Sequence, residues 1–177
     1  KGARVLGKGF EAEIVERTVA NLRLYSQAWQ MAAEDRKAIP PLKEAAGMTG
    51  DGELYARLAQ SYLNLSEYGD CISASDSALS KGGLKNTGNV HLILGMCQFE
   101  SNKLGSAKAT FRKALRDDKS AKTASSWIAF VESEQSRLAQ LAESLRQASK
   151  PLGGEDEPEE ADEEEVGAPP AEAEADA

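Results

Sequence analysis

The segment that decides the fold is residues 55–62, Tyr-Ala-Arg-Leu-Ala-Gln-Ser-Tyr. Its large side chains are Tyr55, Leu58 and Tyr62, and the small Ala59 follows Leu58. Residues three, four and seven positions apart lie on one face of an α-helix. The segment therefore predicts an amphipathic helix, and the small residue on its apolar face would let a second helix approach closely.

The pattern of this segment recurs along the chain. Thr18, Asp51, Thr87 and Thr123 have side-chain oxygens that can accept the free N–H groups of a first helical turn. These predicted N-caps are separated by 33, 36 and 36 residues. Large residues follow each cap after four and seven positions, and mostly small residues follow after eight: Leu22, Tyr55, His91 and Trp127; Tyr25, Leu58, Leu94 and Phe130; Ser26, Ala59, Gly95 and Val131. A repeat of this length predicts helical hairpins that stack side by side.

The second half of each repeat has its own pattern of small and large residues. Leu42, Ser75 and Phe111 stand 24 positions after the first three caps. Small residues stand 20 and 27 positions after the same caps: Ala38, Cys71 and Ala107, then Ala45, Ala78 and Ala114. Contact at the small residues predicts two closely packed antiparallel helices in each repeat, with large residues filling the space around them. Gly95 is expected to be needed for this approach, and Gly95→Ala is expected to have a mild effect.

The spacing of small and large positions resembles the tetratricopeptide repeat, whose unit is about 34 residues long. Gly82-Gly83 and Lys119 stand where that family has a proline at the end of the second helix. The resemblance implies an all-α, tetratricopeptide-like superhelix of antiparallel helix hairpins. We expect residues 1–17 to be the end of a preceding repeat and a connector, residues 18–50, 51–86 and 87–122 to be three such hairpins, residues 123–149 to be a C-terminal end helix, and residues 150–177 to be a disordered acidic tail. Because residues 5–10 resemble residues 79–84, further repeats are expected upstream.

Charge is distributed unevenly between the repeats and the tail. Of the 29 acidic residues, twelve follow Lys150, which leaves 17 acids against 21 bases in residues 1–150. An acidic segment without a periodic apolar face cannot offset its ordering entropy by burial, so the tail is expected to be disordered. The mildly basic part shows no stripe of Lys and Arg that would indicate a nucleic-acid partner. Its longest uncharged segment, residues 86–99, is too short to cross a membrane directly.

Residues that could carry catalysis are sparse. His91 is the single histidine and occupies a slot that needs bulk, so a packed structural role is expected rather than a catalytic relay or a metal site. The carboxylates lie in the tail or on helix surfaces, where no acid–base pair stands out. We therefore expect no enzyme activity, no cofactor and no metal. Cys71 and Cys97 lack CxxC spacing, and buried free thiols are favoured over a bridge between repeats.

The expected binding surface is the exposed face of the first helices, because these helices line the concave side of tetratricopeptide stacks. A second apolar row on one of them, Leu92, Met96 and Phe99, would either pack against the next unit or contact a partner. The predicted protein-binding groove consists of Arg23, Gln27, Met31, Gln60, Leu63, Asn64, Leu92, Met96 and Phe99. Some family members bind chaperone C-termini with converging Lys, Asn and Arg residues. Only Arg23 and Asn64 are of that kind here, so this use is not expected.

Several segments carry a closer resemblance: residues 14–18 (Ile-Val-Glu-Arg-Thr), 37–42 (Lys-Ala-Ile-Pro-Pro-Leu), 51–55 (Asp-Gly-Glu-Leu-Tyr), 60–65 (Gln-Ser-Tyr-Leu-Asn-Leu), 81–85 (Lys-Gly-Gly-Leu-Lys) and 124–128 (Ala-Ser-Ser-Trp-Ile). Together they are similar to the C-terminal half of a tetratricopeptide protein that accompanies TonB–ExbB–ExbD systems of Gram-negative bacteria. The resemblance implies a periplasmic, non-catalytic interaction scaffold, an accessory of TonB-dependent energy transduction and uptake. Its partner would be TonB, ExbB, ExbD or an associated transporter component. The alternative is an assembly or stability factor of another cell-envelope complex.

Overall fold

The structure is a computed structural model that describes residues 2–149. Those residues form eight α-helices and no strand. The helices are α1 (Gly2–Glu11), α2 (Val19–Gln30), α3 (Asp35–Thr49), α4 (Gly52–Asn64), α5 (Tyr68–Lys81), α6 (Thr87–Glu100), α7 (Leu104–Ala114) and α8 (Asp118–Ala148). Residues 2–140 form one compact unit, and the described part of a second unit, residues 141–149, consists of the last turns of α8 and Ser149. The predicted acidic tail, residues 150–177, lies outside the described residues.

Successive helices pack as hairpins. Helix α2 packs against α3, α4 against α5, and α6 against α7, with turns of three or four residues between them. Helices joined by such short turns run antiparallel. Each hairpin also lies against the next, because α3 contacts α4, α5 contacts α6, and α4 contacts α6. The predicted all-α architecture of antiparallel hairpins is confirmed.

The three hairpin turns share one backbone feature. Ala33, Ser66 and Asn102 have φ values of 54°, 59° and 59°, in the left-handed region that non-glycine residues rarely adopt. Their separations are 33 and 36 residues, the same as the first two separations of the predicted caps. The turn conformation therefore repeats with the helices, although the three residues differ in type.

Two of the four predicted N-caps are confirmed and two are wrong. Thr18 accepts from the Asn21 backbone N–H (3.3 Å) and caps α2, and Asp51 accepts from the Glu53 N–H (2.9 Å) and caps α4. Helix α6 is capped by Asn86, whose Oδ1 accepts from the Asn89 N–H at 2.8 Å, instead of by Thr87. Thr123 lies inside α8.

Helix α8 begins five residues earlier than predicted, at Asp118. The Asp117 side chain accepts from the Lys119 backbone N–H at 2.9 Å and so supports the first turn of α8. Asn86 and Asp117 are 31 residues apart, which makes this unit shorter than the predicted 36. When positions are counted from Asn86 in α6 and from Asp117 in α8, Trp127 and Phe130 correspond to Met96 and Phe99. The caps predicted at Thr87 and Thr123 had instead aligned them with His91 and Leu94.

The small positions of the repeat are buried where helices meet, as predicted. Ala38, Ala45, Ala78, Ala107 and Ala114 are all 0% exposed. A β-carbon added at Gly95 would lie 2.5 Å from Cε1 of Phe111 on α7, so the α6–α7 hairpin depends on the missing side chain. One core cluster extends from Phe10 to Cys97, and a second joins α6, α7 and α8 around Phe111 and Val131.

The prediction of free thiols is wrong, because Cys71 on α5 and Cys97 on α6 form a disulfide. The Cα atoms are 6.2 Å apart, within the range that a disulfide spans, and both side chains are fully buried. The cysteines belong to different hairpins. The packing of α5 against α6 brings them face to face, and the bond therefore links two successive repeats.

Within residues 2–149, no helix combines the length and the apolar character needed to cross a membrane.

Candidate functional site

The predicted groove begins on α2 and α4 with polar, largely accessible side chains. Gln27 and Asn64 are exposed, and Arg23, Gln60 and Leu63 are half-buried. Met31 is the residue that follows α2, and it is 83% exposed. The N-terminal part of the groove therefore offers amide groups, one guanidinium group and one flexible apolar side chain to solvent.

A hydrogen-bond network fixes the amides at the end of α4. Gln60 Nε2 donates to Asn64 Oδ1 (2.9 Å), and Asn64 Nδ2 donates to Asp35 Oδ2 (2.9 Å) on the first residue of α3. Ser61 Oγ donates to Asp35 Oδ1 (2.8 Å) and accepts from Gln30 Nε2 (2.9 Å). A network whose members are bonded to one another holds its side chains in one arrangement. Gln60 and Asn64 are thus positioned before any ligand arrives.

The C-terminal part of the predicted groove, on α6, is mainly packing between helices. Leu92 is 7% exposed and belongs to the core cluster of α6, α7 and α8. Met96 and Phe99 are half-buried against the same cluster, which includes Trp127 and Ile128 of α8. As placed, Leu92 is covered by the fold, whereas Met96 and Phe99 keep part of their surface accessible.

An aromatic cluster that was not predicted from the sequence continues this surface onto α8. We define the aromatic cluster as Phe99, Phe111, Trp127 and Phe130. The Phe99 ring centroid lies 5.8 Å from that of Trp127 and 5.2 Å from that of Phe130, and Trp127 stacks on Phe111 at 5.4 Å. Phe130 is 53% exposed and borders a recess of about 220 Å³ together with Ser126 and Trp127. The cap predicted at Thr123 assigned both aromatic residues of α8 to core slots, which hid their place in the groove.

His91 lies apart from the groove, in a second pocket between α6 and the turn that joins α7 to α8. It is half-buried, and burial is the main cause that lowers its pKa, followed by the positive charges of Lys113 and Arg116. Its Nδ1 atom is buried and has no hydrogen-bond partner among residues 2–149. His91 therefore packs against the fold at one edge and faces cationic groups at the other.

No group of three or more His, Cys, Asp or Glu side chains within residues 2–149 is arranged to hold a metal ion.

The fold is similar to that of several solved structures. The second TPR domain of human RPAP3 superposes with a TM-score of 0.58 at 18% identity, over 63% of this chain and 92% of that one. The TPR domain of Arabidopsis OM64 gives a TM-score of 0.57 at 20% identity, over 63% of this chain and 94% of that one. The chain has a tetratricopeptide-like fold.

A third structure, the TPR2B domain of yeast Sti1, matches with a TM-score of 0.59 and 15% identity, over 66% of this chain and 97% of that one. The tetratricopeptide-like part of this chain therefore spans nearly the full length of these domains. Neither a family model nor a curated protein matches the sequence.

Proposed function

We propose that this chain is a non-catalytic protein-binding scaffold whose groove takes a segment of a protein partner. The observation that carries the proposal is Phe130, an aromatic ring that is 53% exposed although two neighbouring rings hold it in place. Rigid aromatic side chains are frequent anchors of protein interfaces, because they bring a large contact area at a low cost in conformational entropy.

The two ends of the groove have different chemistry. The network of Gln60, Asn64 and Asp35 offers fixed amide groups that suit the backbone of a bound segment. The recess beside Phe130 and Trp127 suits a large apolar side chain of that segment. The groove therefore favours a segment that carries an apolar anchor and presents its backbone to the polar end.

Structures of the same fold support a peptide ligand. The second TPR domain of human RPAP3 was solved in complex with the HSP70 peptide SGPTIEEVD, and the TPR2B domain of Sti1 with pHsp70. We carry over to this chain only the kind of ligand, a peptide segment.

We further propose that the scaffold works in the periplasm, as an accessory of TonB-dependent energy transduction and uptake. The resemblance of segments such as residues 37–42 and 60–65 supports this placement. The Cys71–Cys97 disulfide supports it independently, because disulfides form and persist in oxidising compartments such as the bacterial periplasm. An assembly or stability factor of another envelope complex is the second candidate.

The test is covalent capture in the protein's own cells. We expect Phe130→Ser to lower capture of the groove partner by about tenfold or more, since interface anchors contribute 2 kcal/mol or more. Met48→Ser is the matched control, because Met48 is 56% exposed but lies on α3, a second helix. Both variants should keep the wild-type melting curve.

Mass spectrometry of the captured proteins separates the two candidates. Recovery of TonB, ExbB, ExbD or an associated transporter component supports the proposed accessory role. Recovery of a different envelope complex favours the assembly factor. If the Phe130 and Met48 variants captured the partner equally well, the groove would not be the binding surface.

A further inference from the structure

The pocket beside His91 is lined by the start of α6, by the last turn of α7 and by the residues that join α7 to α8. It has a volume of about 400 Å³ and is bordered by Thr87, Gly88, His91, Lys113, Arg116 and Asp117. A β-carbon at Gly88 would lie 2.5 Å from Cβ of Asp117, so the absence of a side chain there lets the turn approach the start of α6. The pocket is thus formed by tertiary packing within residues 1–140 and is separate from the groove.

Within residues 2–149, the positive charges around this pocket outnumber the negative ones. Residues 103–122 contain seven Lys or Arg and two Asp. Within residues 2–149, Lys108 pairs with Glu132, but neither Lys113 nor Arg116 forms an ion pair. Asp117 also borders the pocket, and its carboxylate accepts from the backbone of Lys119. The pocket is therefore bordered by two cations and one carboxylate.

A third feature is the imidazole of His91. The half-buried ring lines the pocket, and because its Nδ1 atom is buried, the other ring nitrogen is the one available to a ligand. The N-terminus of α6 adds the positive end of a helix dipole on the same side of the pocket.

We propose that this pocket binds an oxyanion, a carboxylate or phosphate group, held by Lys113 and Arg116 with His91 as a further donor. Arg116 can hold two oxygens of such a group with its planar guanidinium, and Lys113 supplies a point charge. The site stands independently of the proposed groove, since the two share no residue.

His91 is a built-in reporter because it is the single histidine of the chain. We would titrate the full chain at low ionic strength with inorganic phosphate and, in a second arm, with triglutamate, and follow the His91 ring protons by NMR. We expect a saturable shift and a higher His91 pKa in the bound state, because an anion stabilises the imidazolium. Lys113, Arg116 and Asp117 are the charged groups that face His91 there, and they are present in both states. The arm with the tighter binding identifies phosphate or carboxylate as the ligand group.

Two matched double variants distinguish binding of the anion at this pocket from its non-specific attraction to positive charge. Lys113→Gln with Arg116→Gln should weaken binding by about tenfold or more, the effect of losing a charge-assisted hydrogen bond. Arg4→Gln with Lys8→Gln removes the same charge from exposed positions on α1 and should leave the affinity unchanged. Equal weakening by both pairs, or no saturable shift in either arm, would overturn the proposal.

Discussion

At the scale of single residues, Gly95 shows how little space separates two helices of a repeat. The pattern of small and large residues marks Gly95 as a contact position but does not reveal how close its neighbour lies. Phe111 is fully buried, and its ring stacks on Trp127 at 5.4 Å. The ring is therefore held from both sides, and the sequence-based expectation that Gly95→Ala is mild does not fit this geometry.

We expect Gly95→Ala to lower the free energy of unfolding by about 1 kcal/mol, and Gly95→Leu by more. Overpacking typically costs about 1–3 kcal/mol, whereas replacing a helical glycine by alanine returns at most about 1 kcal/mol. The measurement is chemical denaturation followed by circular dichroism. Gly47→Ala on α3 is the matched control, since a β-carbon there meets nothing within 4 Å and should stabilise the protein slightly. A Gly95→Ala variant as stable as the Gly47→Ala variant would contradict the packing described.

At the scale of helices, the observed caps change the assignment of α8. The predicted caps put Trp127 and Phe130 in the slots of His91 and Leu94, which face a second helix of the same hairpin. The observed caps put them in the slots of Met96 and Phe99 instead. The positions of α8 that correspond to His91, Leu94 and Gly95 would face a second helix if one followed. They are Lys122, Ser125 and Ser126, and all three are exposed. Helix α8 therefore has a polar face where the preceding first helices are apolar, as the end of a stack in water requires.

The link between α5 and α6 leads to a prediction about reduction. We expect reductant to lower the free energy of unfolding by about 2–4 kcal/mol, because the Cys71–Cys97 bond closes a loop with a sequence separation of 26 and so restricts the unfolded chain. Urea denaturation with and without dithiothreitol measures the effect. The double variant Cys71→Ala with Cys97→Ala is the control, and its stability should not respond to dithiothreitol. If both cysteines of the wild-type protein were alkylated without reductant, the Cys71–Cys97 disulfide would be refuted.

At the scale of the whole molecule, the chain combines a mildly basic repeat region with a strongly acidic end. The cations of residues 103–122 lie on α7, on the turns before and after it and on the start of α8. Only one of them, Lys108, is paired with an acid among the described residues. The two proposed sites therefore differ in character. The proposed groove combines amide groups at one end with apolar surface at the other, and the proposed oxyanion pocket is lined by cations.

The acidic tail is expected to contribute nothing to the stability of the repeats. Its sequence contains no periodic apolar face to bury. Deletion of residues 154–177 should leave the melting temperature within about 5 °C of the full chain, the shift expected for about 1 kcal/mol in a domain of this size or smaller. Thermal melts by circular dichroism at matched salt concentration test this. A larger drop would mean that the tail packs on the repeats.

The sequence by itself determined the helices, their pairing and the small contact positions. Helical periodicity is a local property, and the 33- and 36-residue spacing repeats it often enough to define the stack. Only the tertiary structure decided the disulfide, the start of α8 and the pocket at His91. Cys71 and Cys97 become neighbours because α5 packs on α6. Trp127 and Phe130 lie beside Phe99 because the third unit is shorter than the second. Lys113 and Arg116 lie near His91 because the end of α7 and the α7–α8 turn pack against the start of α6. These distances depend on how whole helices lie against each other, and no local pattern contains that information.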